Sequence, residues 1–324
     1  MDAIQMHNHR GKEIRLDITG KRGGEGTVYK FSQDSKECAK IYHSNRVTQE
    51  LHEKVWAMVH NPPDDPTLAA MSHRSIAWPK AVLYWDEQLT QFAGFSMPLL
   101  DTDLFQESYK YYGSADRIER FGGAFTWAHL FTVAFNITSA VAALHHKGHR
   151  IGDLREANIF ISPDALATLI DCDSFQVKDS VTDKQYYCRV GTGEYMAPEL
   201  IGVDFKEQDI DREYSDRFAL GILIFKLLMN GYHPFASRGP LVESAASTVE
   251  KISMGYFAFE GIIKNLEPPA DAPPYHALIP PELQELFHRC FVDGHGDERA
   301  RPPPEEWFDA LQAGVRGIRK LQRK

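Results

Sequence analysis

The 324-residue chain changes its hydrophobic rhythm near residue 98, and that change restricts it to folds built from two unlike parts. From Ile14 to Tyr42, short glycine-punctuated patches such as Thr27-Val28-Tyr29-Lys30-Phe31 and Cys38-Ala39-Lys40-Ile41-Tyr42 alternate as antiparallel strands do. Residues 48–59 place Leu51, Val55, Met58 and Val59 at helical spacing, and Asn61-Pro62-Pro63-Asp64-Asp65-Pro66 ends that helix in a loop. Strand patches return at 81–85 and 92–97 around the polar turn Asp86-Glu87-Gln88. Beyond them, long periodic stretches at 127–145, 216–230, 281–291 and 305–320 predict helices. The pattern predicts an α+β chain with an N-terminal extension over 1–13, a small antiparallel sheet with one helix over 14–98, and a mainly helical part over 99–324.

Six prolines between Asn265 and Pro281 forbid continuous helix there and predict a surface connection or a binding loop. No run of about 18 uninterrupted apolar residues suggests a membrane span, and the polar segment Met1–Arg10 lacks the apolar core of a secretory signal. A cytoplasmic protein is expected. Four scattered cysteines, Cys38, Cys172, Cys188 and Cys290, argue for reduced thiols rather than a disulfide framework or zinc cluster. A net charge of -9 argues against a nucleic-acid partner, and the basic residues Arg316, Arg319, Lys320, Arg323 and Lys324 suit a solvated helix end.

Several residues carry chemistry. Gly23-Gly24-Glu25-Gly26-Thr27-Val28 lies between two strand patches, where glycines let a backbone approach a phosphate; taken alone, an ordinary hairpin accounts for it equally well. Lys40, flanked by apolar strand residues, needs an anionic partner, and the following helix offers Glu50 and Glu53, with Glu53 preferred. The stretch His149-Arg150-Ile151-Gly152-Asp153-Leu154-Arg155-Glu156-Ala157-Asn158-Ile159 follows an apolar helix. Asp171 comes 13 residues after Asn158, behind Thr168-Leu169-Ile170. Further on stand Gly191-Thr192-Gly193-Glu194-Tyr195-Met196-Ala197-Pro198-Glu199 and Ser215-Asp216-Arg217-Phe218-Ala219-Leu220-Gly221.

The Asp-Leu-(x)₃-Asn spacing resembles the catalytic loop of the protein kinases, and Gly191–Glu199 resembles the end of their activation segment in its serine/threonine form. The resemblance runs over residues 14–315 and implies a bilobal kinase-like fold that uses ATP and Mg²⁺, with Mn²⁺ as a substitute. It implies Asp153 as catalytic base, Arg155 beside the transferring phosphate, Asn158 and Asp171 as metal ligands, and Lys40 paired with Glu53. Gly23, Gly24, Gly26, Val28, Ala39, Lys40, Met97 and Leu99 would contact the nucleotide. Thr192 would bond Asp153 and Arg155, Glu199 would pair with Arg301, and Asp216 would hold the catalytic-loop backbone. The partner would be a protein substrate.

The departures from the family pattern matter as well. Lys21 stands at the first glycine of the loop, with Gly20 one place off register. Ile151-Gly152 replaces His-Arg, removing the arginine that gathers a phosphorylated activation loop, so control by phosphate on Ser180, Thr182, Tyr186 or Tyr187 is not expected. Asp171-Cys172-Asp173 replaces Asp-Phe-Gly and implies a less bistable site. The combination is similar to a divergent bacterial branch of the eukaryotic-like (Hanks-type) kinases associated with tellurite and stress-response gene clusters. A pseudokinase scaffold and a small-molecule kinase are the alternatives.

Overall fold

The computed structural model describes residues 3–34, 36–242 and 246–322. Strands β1 (Ile4–Asn8), β2 (Glu13–Arg22), β3 (Gly26–Phe31), β4 (Glu37–Tyr42), β5 (Ala81–Tyr84) and β6 (Phe92–Pro98) are antiparallel neighbours in the order β1-β2-β3-β4-β6-β5. β1 pairs with β2 and also with β5, through His7–Tyr84 and Asn8–Leu83, so the sheet closes into a barrel. This corrects the boundary drawn at residue 13. The first residues are a strand of the lobe, with Met6 fully buried, and a run of five residues was too short for its alternation to stand out.

Alternation along β4 divides the lobe's interior. Ala39 and Ile41 pack inside the barrel with Met6, Leu16, Leu83 and Ala93. Tyr42 packs on the other face with Val55, Val82, Tyr84, Phe92 and Phe95. Val55 comes from α1 (Gln49–His60), whose N-cap Thr48 accepts a hydrogen bond from the Leu51 amide at 3.1 Å. The Asp86 carboxylate closes the β5–β6 turn by accepting from the amides of Thr90 and Gln91.

The one-turn α2 (Leu68–Met71) lies between α1 and β5, and after β6 the chain enters the second lobe, with β7 (Gln106–Glu107), α3 (Ser114–Phe121) and α4 (Trp127–His146). The short strands β8 (Ile159–Ile161) and β9 (Ala167–Leu169) form a sheet with β7, and β10 (Val177–Lys178) pairs with β11 (Gln185–Tyr186). Then come α5 (Glu213–Leu228), α6 (Thr248–Ser253), the one-turn α7 (Tyr275–Leu278) inside the proline-rich segment, α8 (Pro281–His288), the short α9 (Gly294–Gly296) and α10 (Pro304–Gln322). Of the C-terminal basic residues, Arg323, Lys324 and the side chains of Arg319 and Lys320 lie outside the described residues.

α5 is apolar on nearly every face and runs through the core, as an all-round hydrophobic helix must. Close packing fixes its neighbour: a Cβ at Gly221 would lie 2.6 Å from Cys290 Sγ. α4 has the length and apolarity of a membrane span, yet it is a core helix here, with 67% of its apolar window buried. α10 lies against it through Phe135 and Phe308, whose rings are 4.3 Å apart. The two lobes are joined where His149 Nε2 bonds the Asn61 carbonyl at 2.8 Å and the His149 ring lies 4.9 Å from the ring of Trp78.

Candidate active site

The loop after α4 is hung on α5. Asp216, 1% exposed, accepts from the amides of Ile151 and Gly152, each at 2.7 Å, and lies 3.0 Å from His145 Nε2. Gly152 takes a left-handed φ of 75°, and a Cβ there would meet Cys188 Sγ at 2.6 Å, so a side chain is excluded on both counts. The guanidinium of Arg212, 2% exposed, donates to the Gly152 carbonyl at 2.5 Å and to the Val190 carbonyl at 3.2 Å, and stacks over Phe205 at 4.0 Å. Nothing in the local sequence pattern had pointed to Arg212.

The loop presents Asp153 with both carboxylate oxygens engaged. Oδ1 accepts from the Thr192 hydroxyl at 2.8 Å, and Oδ2 accepts from Arg155 Nε at 3.0 Å. Of the two bonds expected of Thr192, the one to Asp153 is formed. Asn158 Nδ2 donates to the Asp153 carbonyl at 3.1 Å, and the Asn158 carbonyl accepts from the Ile170 amide at 3.0 Å, which ties the loop to the segment bearing Asp171. Glu199 and Arg301 form a two-pronged pair at 2.7 and 2.6 Å, with Arg301 1% exposed.

From the other lobe, β4 carries Lys40 to the same cleft. Its Nζ lies 2.7 Å from Asp173 Oδ2, 3.1 Å from Glu25 Oε2 and 3.3 Å from Asp171 Oδ1. Burial opposes the charged form of Lys40, but the carboxylates of Asp173 and Asp171 outweigh it and hold its pKa above the ordinary lysine value. Burial also raises the pKa of Asp171, against the pull of Lys40. Asp171 stands at a left-handed φ of 60°, which aims its side chain at Lys40 while Cys172 turns into the core.

Two expectations are corrected here. Glu53 is not the partner of Lys40: it lies on the outer face of α1 and bonds Lys184 at 2.8 Å, and Glu50 is exposed as well. The inward residues of α1 are Lys54, Val55, Ala57 and Met58, so choosing between the two glutamates missed the face of the helix by one residue, about 100° of rotation. Ala39 does not line the cleft either. Its side chain faces the barrel interior, and the residue sharing the face of Lys40 is Cys38, whose Sγ lies 3.7 Å from the carbonyls of Met97 and Pro98. The period of two in β4 could have shown this.

The glycine-rich turn joins β2 to β3. Gly23 accepts and donates through its backbone, to His43 and Gly26, and a Cβ at Gly26 would lie 2.4 Å from the Ile41 carbonyl oxygen. Gly24 borders open space. Val28 sits opposite Lys40 in the β3–β4 ladder, and Met97 opposite Cys38 in β4–β6. Leu99 begins the lobe connection, with its amide bonded to the Lys36 carbonyl at 2.9 Å.

The donor set suits a hard divalent cation. Because the Asn158 amide nitrogen is committed to the Asp153 carbonyl, its Oδ1 is left as the acceptor, and Asp171 adds carboxylate oxygen. All-oxygen donors with room for phosphate and water oxygens are what Mg²⁺ or Mn²⁺ takes.

Comparison with known proteins agrees with this geometry. The protein kinase domain family matches residues 100–308. The protein kinase YegI of Escherichia coli K12 is 28% identical over 320 residues, covering 98% of this chain and 47% of that protein. Its counterpart in Escherichia coli O157:H7 is 29% identical, covering 90% of this chain and 43% of that one. The serine/threonine-protein kinase AtPK2/AtPK19 of Arabidopsis thaliana is 32% identical over 57% of this chain and 35% of its own length. The chain thus spans less than half of each of these relatives. The ROP18 kinase domain, solved with AMP-PNP and sucrose, shares the fold at a TM-score of 0.60 and 16% identity, over 100% of this chain and 87% of that one. The chain belongs to the protein kinase family, in a divergent bacterial branch of its Hanks-type members.

Proposed function

We propose that the chain is a serine/threonine protein kinase, moving the γ-phosphoryl group of ATP to hydroxyls of a protein substrate with Mg²⁺ and without needing phosphate on its own activation segment. The observation that carries this is Asp153, fixed through one oxygen by Thr192 and through the other by Arg155. A carboxylate so held is oriented before substrate arrives, as a base that accepts or directs a hydroxyl proton must be. Arg155, beside it, brings positive charge to the transferring phosphoryl group. Lys40 reaches the phosphates, and the backbone amides of Gly23 to Gly26 border them. Asn158 and Asp171 would hold the metal, which when bound would supply charge neutralisation to the phosphates.

Independence from loop phosphorylation rests on Arg212. Its guanidinium ties the activation segment at Val190 to the catalytic loop at Gly152 using fixed protein groups, the service a phosphate gives elsewhere. Of the four hydroxyls noted in the segment, Tyr186 is 4% exposed, and Thr182 donates to Asp179 at 2.7 Å.

The test is incubation with Mg²⁺, labelled ATP and a set of acceptor proteins. Wild type is expected to label itself or an acceptor on serine or threonine, and Asp153→Ala to lose about 100-fold or more in rate while still binding nucleotide. Equal labelling by the two proteins would refute the assignment. Nucleotide binding with no transfer would favour a scaffold.

A further inference from the structure

The carboxylate that holds Lys40 comes from an unexpected element. We infer that Asp173 is the positioning residue for the nucleotide-binding lysine, and that Lys54 of α1 is its charge counterpart, so an acid and a base have exchanged places between α1 and the segment after β9. This rests on the proposed ATP site at Lys40.

Three observations carry it. Asp173, with a side chain only 3% exposed, makes the shortest contact to Lys40 Nζ, 2.7 Å, and the same oxygen accepts from the Tyr42 hydroxyl at 2.7 Å. Two donors on one face of β4 therefore converge on one buried oxygen, which fixes the lysine's direction more firmly than a surface glutamate would. Next, α1 has no acid to offer. Glu50 and Glu53 face outward, Glu53 is committed to Lys184, and the inward position is filled by Lys54, 9% exposed. Among the described residues Lys54 makes no ion pair within 4 Å; burial disfavours its charge, and Asp173, Glu25 and Glu50 favour it without overcoming that burial. Finally, the cleft already holds Asp171 and Asp173 two residues apart. An inward acid on α1 would add further like charge, whereas a lysine there offsets it.

The consequence concerns control. Where a helix carries the acid, moving the helix frees the lysine. Here Lys40 is tied to the turn that also carries Asp171, Cys172–Ser174, so lysine and metal ligand move together and α1 can shift without releasing either.

The experiment has two arms on the full chain. In the first, equilibrium binding of a fluorescent ATP analogue with Mg²⁺ is measured for wild type, Glu53→Ala, Asp173→Asn, Asp173→Gly, and Asp173→Gly combined with Lys54→Glu. Asp173→Asn and Asp173→Gly are expected to weaken binding about tenfold, Glu53→Ala to leave it unchanged, and the double variant, with its acid returned to α1, to recover most of the loss. In the second, melting temperatures are compared for Lys40→Met, Asp173→Asn and their combination, without nucleotide. A direct pair gives shifts that do not add, whereas the cycle of Lys40→Met with Glu53→Ala adds. Wild-type affinity in Asp173→Asn, an equal loss in Glu53→Ala, or additive shifts for Lys40 and Asp173 would overturn the inference. A double variant binding no better than Asp173→Gly would remove Lys54 from it. If wild type binds no nucleotide, the proposed function fails, and the melting cycle still decides the pairing.

Discussion

Arg212 Nη2 donates to the Gly152 carbonyl at 2.5 Å, across 60 residues of sequence, and the same guanidinium reaches Val190. Gly152 is where the family resemblance implies an arginine, and here a guanidinium from the start of α5 reaches that backbone, with Arg212 Cγ 3.5 Å from where a Cβ at Gly152 would lie. Arg212→Ala would leave buried carbonyls unpaired, at about 1–3 kcal/mol each. Cleavage by a protease within residues 175–190 should quicken and phosphoryl transfer should fall at least tenfold. Unchanged cleavage would separate Arg212 from the activation segment.

Glu199 and Arg301 link the end of that segment to the turn before α10. Glu199 keeps 33% of its side chain exposed, and Arg301 keeps 1%. Breaking the pair strands the buried guanidinium, so Glu199→Gln should cost about 3 kcal/mol, the low end for a buried pair. Denaturant titration checks this, with Arg289→Gln, whose pair with Glu306 is more exposed, costing less.

Acid should loosen the junction between the lobes through His149, which is 0% exposed. Its Nε2 bonds the Asn61 carbonyl and its Nδ1 accepts from the Lys178 amide, which requires the neutral ring, and burial lowers its pKa from 6.5 to about 4. Above pH 6.5 the ring is neutral whether the chain is folded or not. Below it the unfolded ring takes a proton that the folded ring refuses until about pH 4, so stability is lost across that window. The loss amounts to about 3 kcal/mol. In His149→Gln, which can keep both bonds, the fall in stability between these pH values should be correspondingly shallower.

The facing of β4 separates two substitutions one residue apart. Cys38→Leu enlarges a buried side chain on the face of Lys40 and should weaken ATP binding about tenfold in the folded fraction, whatever it costs in stability. Ala39→Leu overpacks the barrel interior and should cost about 1–3 kcal/mol in stability while leaving ATP affinity unchanged in the folded fraction. The opposite pattern would place Ala39 in the cleft.

What the sequence made legible follows from how local each signal is. Helices such as α1 and α4 appear at their expected places because their periodicity runs over several turns. Asp216 and Arg301 could be found from their motifs, and their contacts are backbone anchors and a two-pronged pair fixed by the fold. β1 escaped notice because five residues hold only two turned inward, and it gains its place by closing a barrel through contacts with residues 83 and 84. Glu50 and Glu53 stand out in sequence as acids on the helix after Lys40, whereas which face of that helix turns inward depends on Val55 and Met58 packing. Arg212 had no motif at all: its role exists only once α5 has been laid beneath the catalytic loop. Asp173 was visible only as a departure from a pattern, and its partner became apparent with the register of β4.

Under the proposed function, Asp153 directs phosphoryl transfer to serine or threonine hydroxyls of protein. The most direct test is a phosphosite map by mass spectrometry after incubation with ATP and Mg²⁺ and a protein acceptor, compared between wild type and Asp153→Asn. Phosphoserine and phosphothreonine in the wild-type sample alone, with activity retained when Ser180 and Thr182 are replaced by alanine, are predicted. Identical maps from the two proteins would contradict the account.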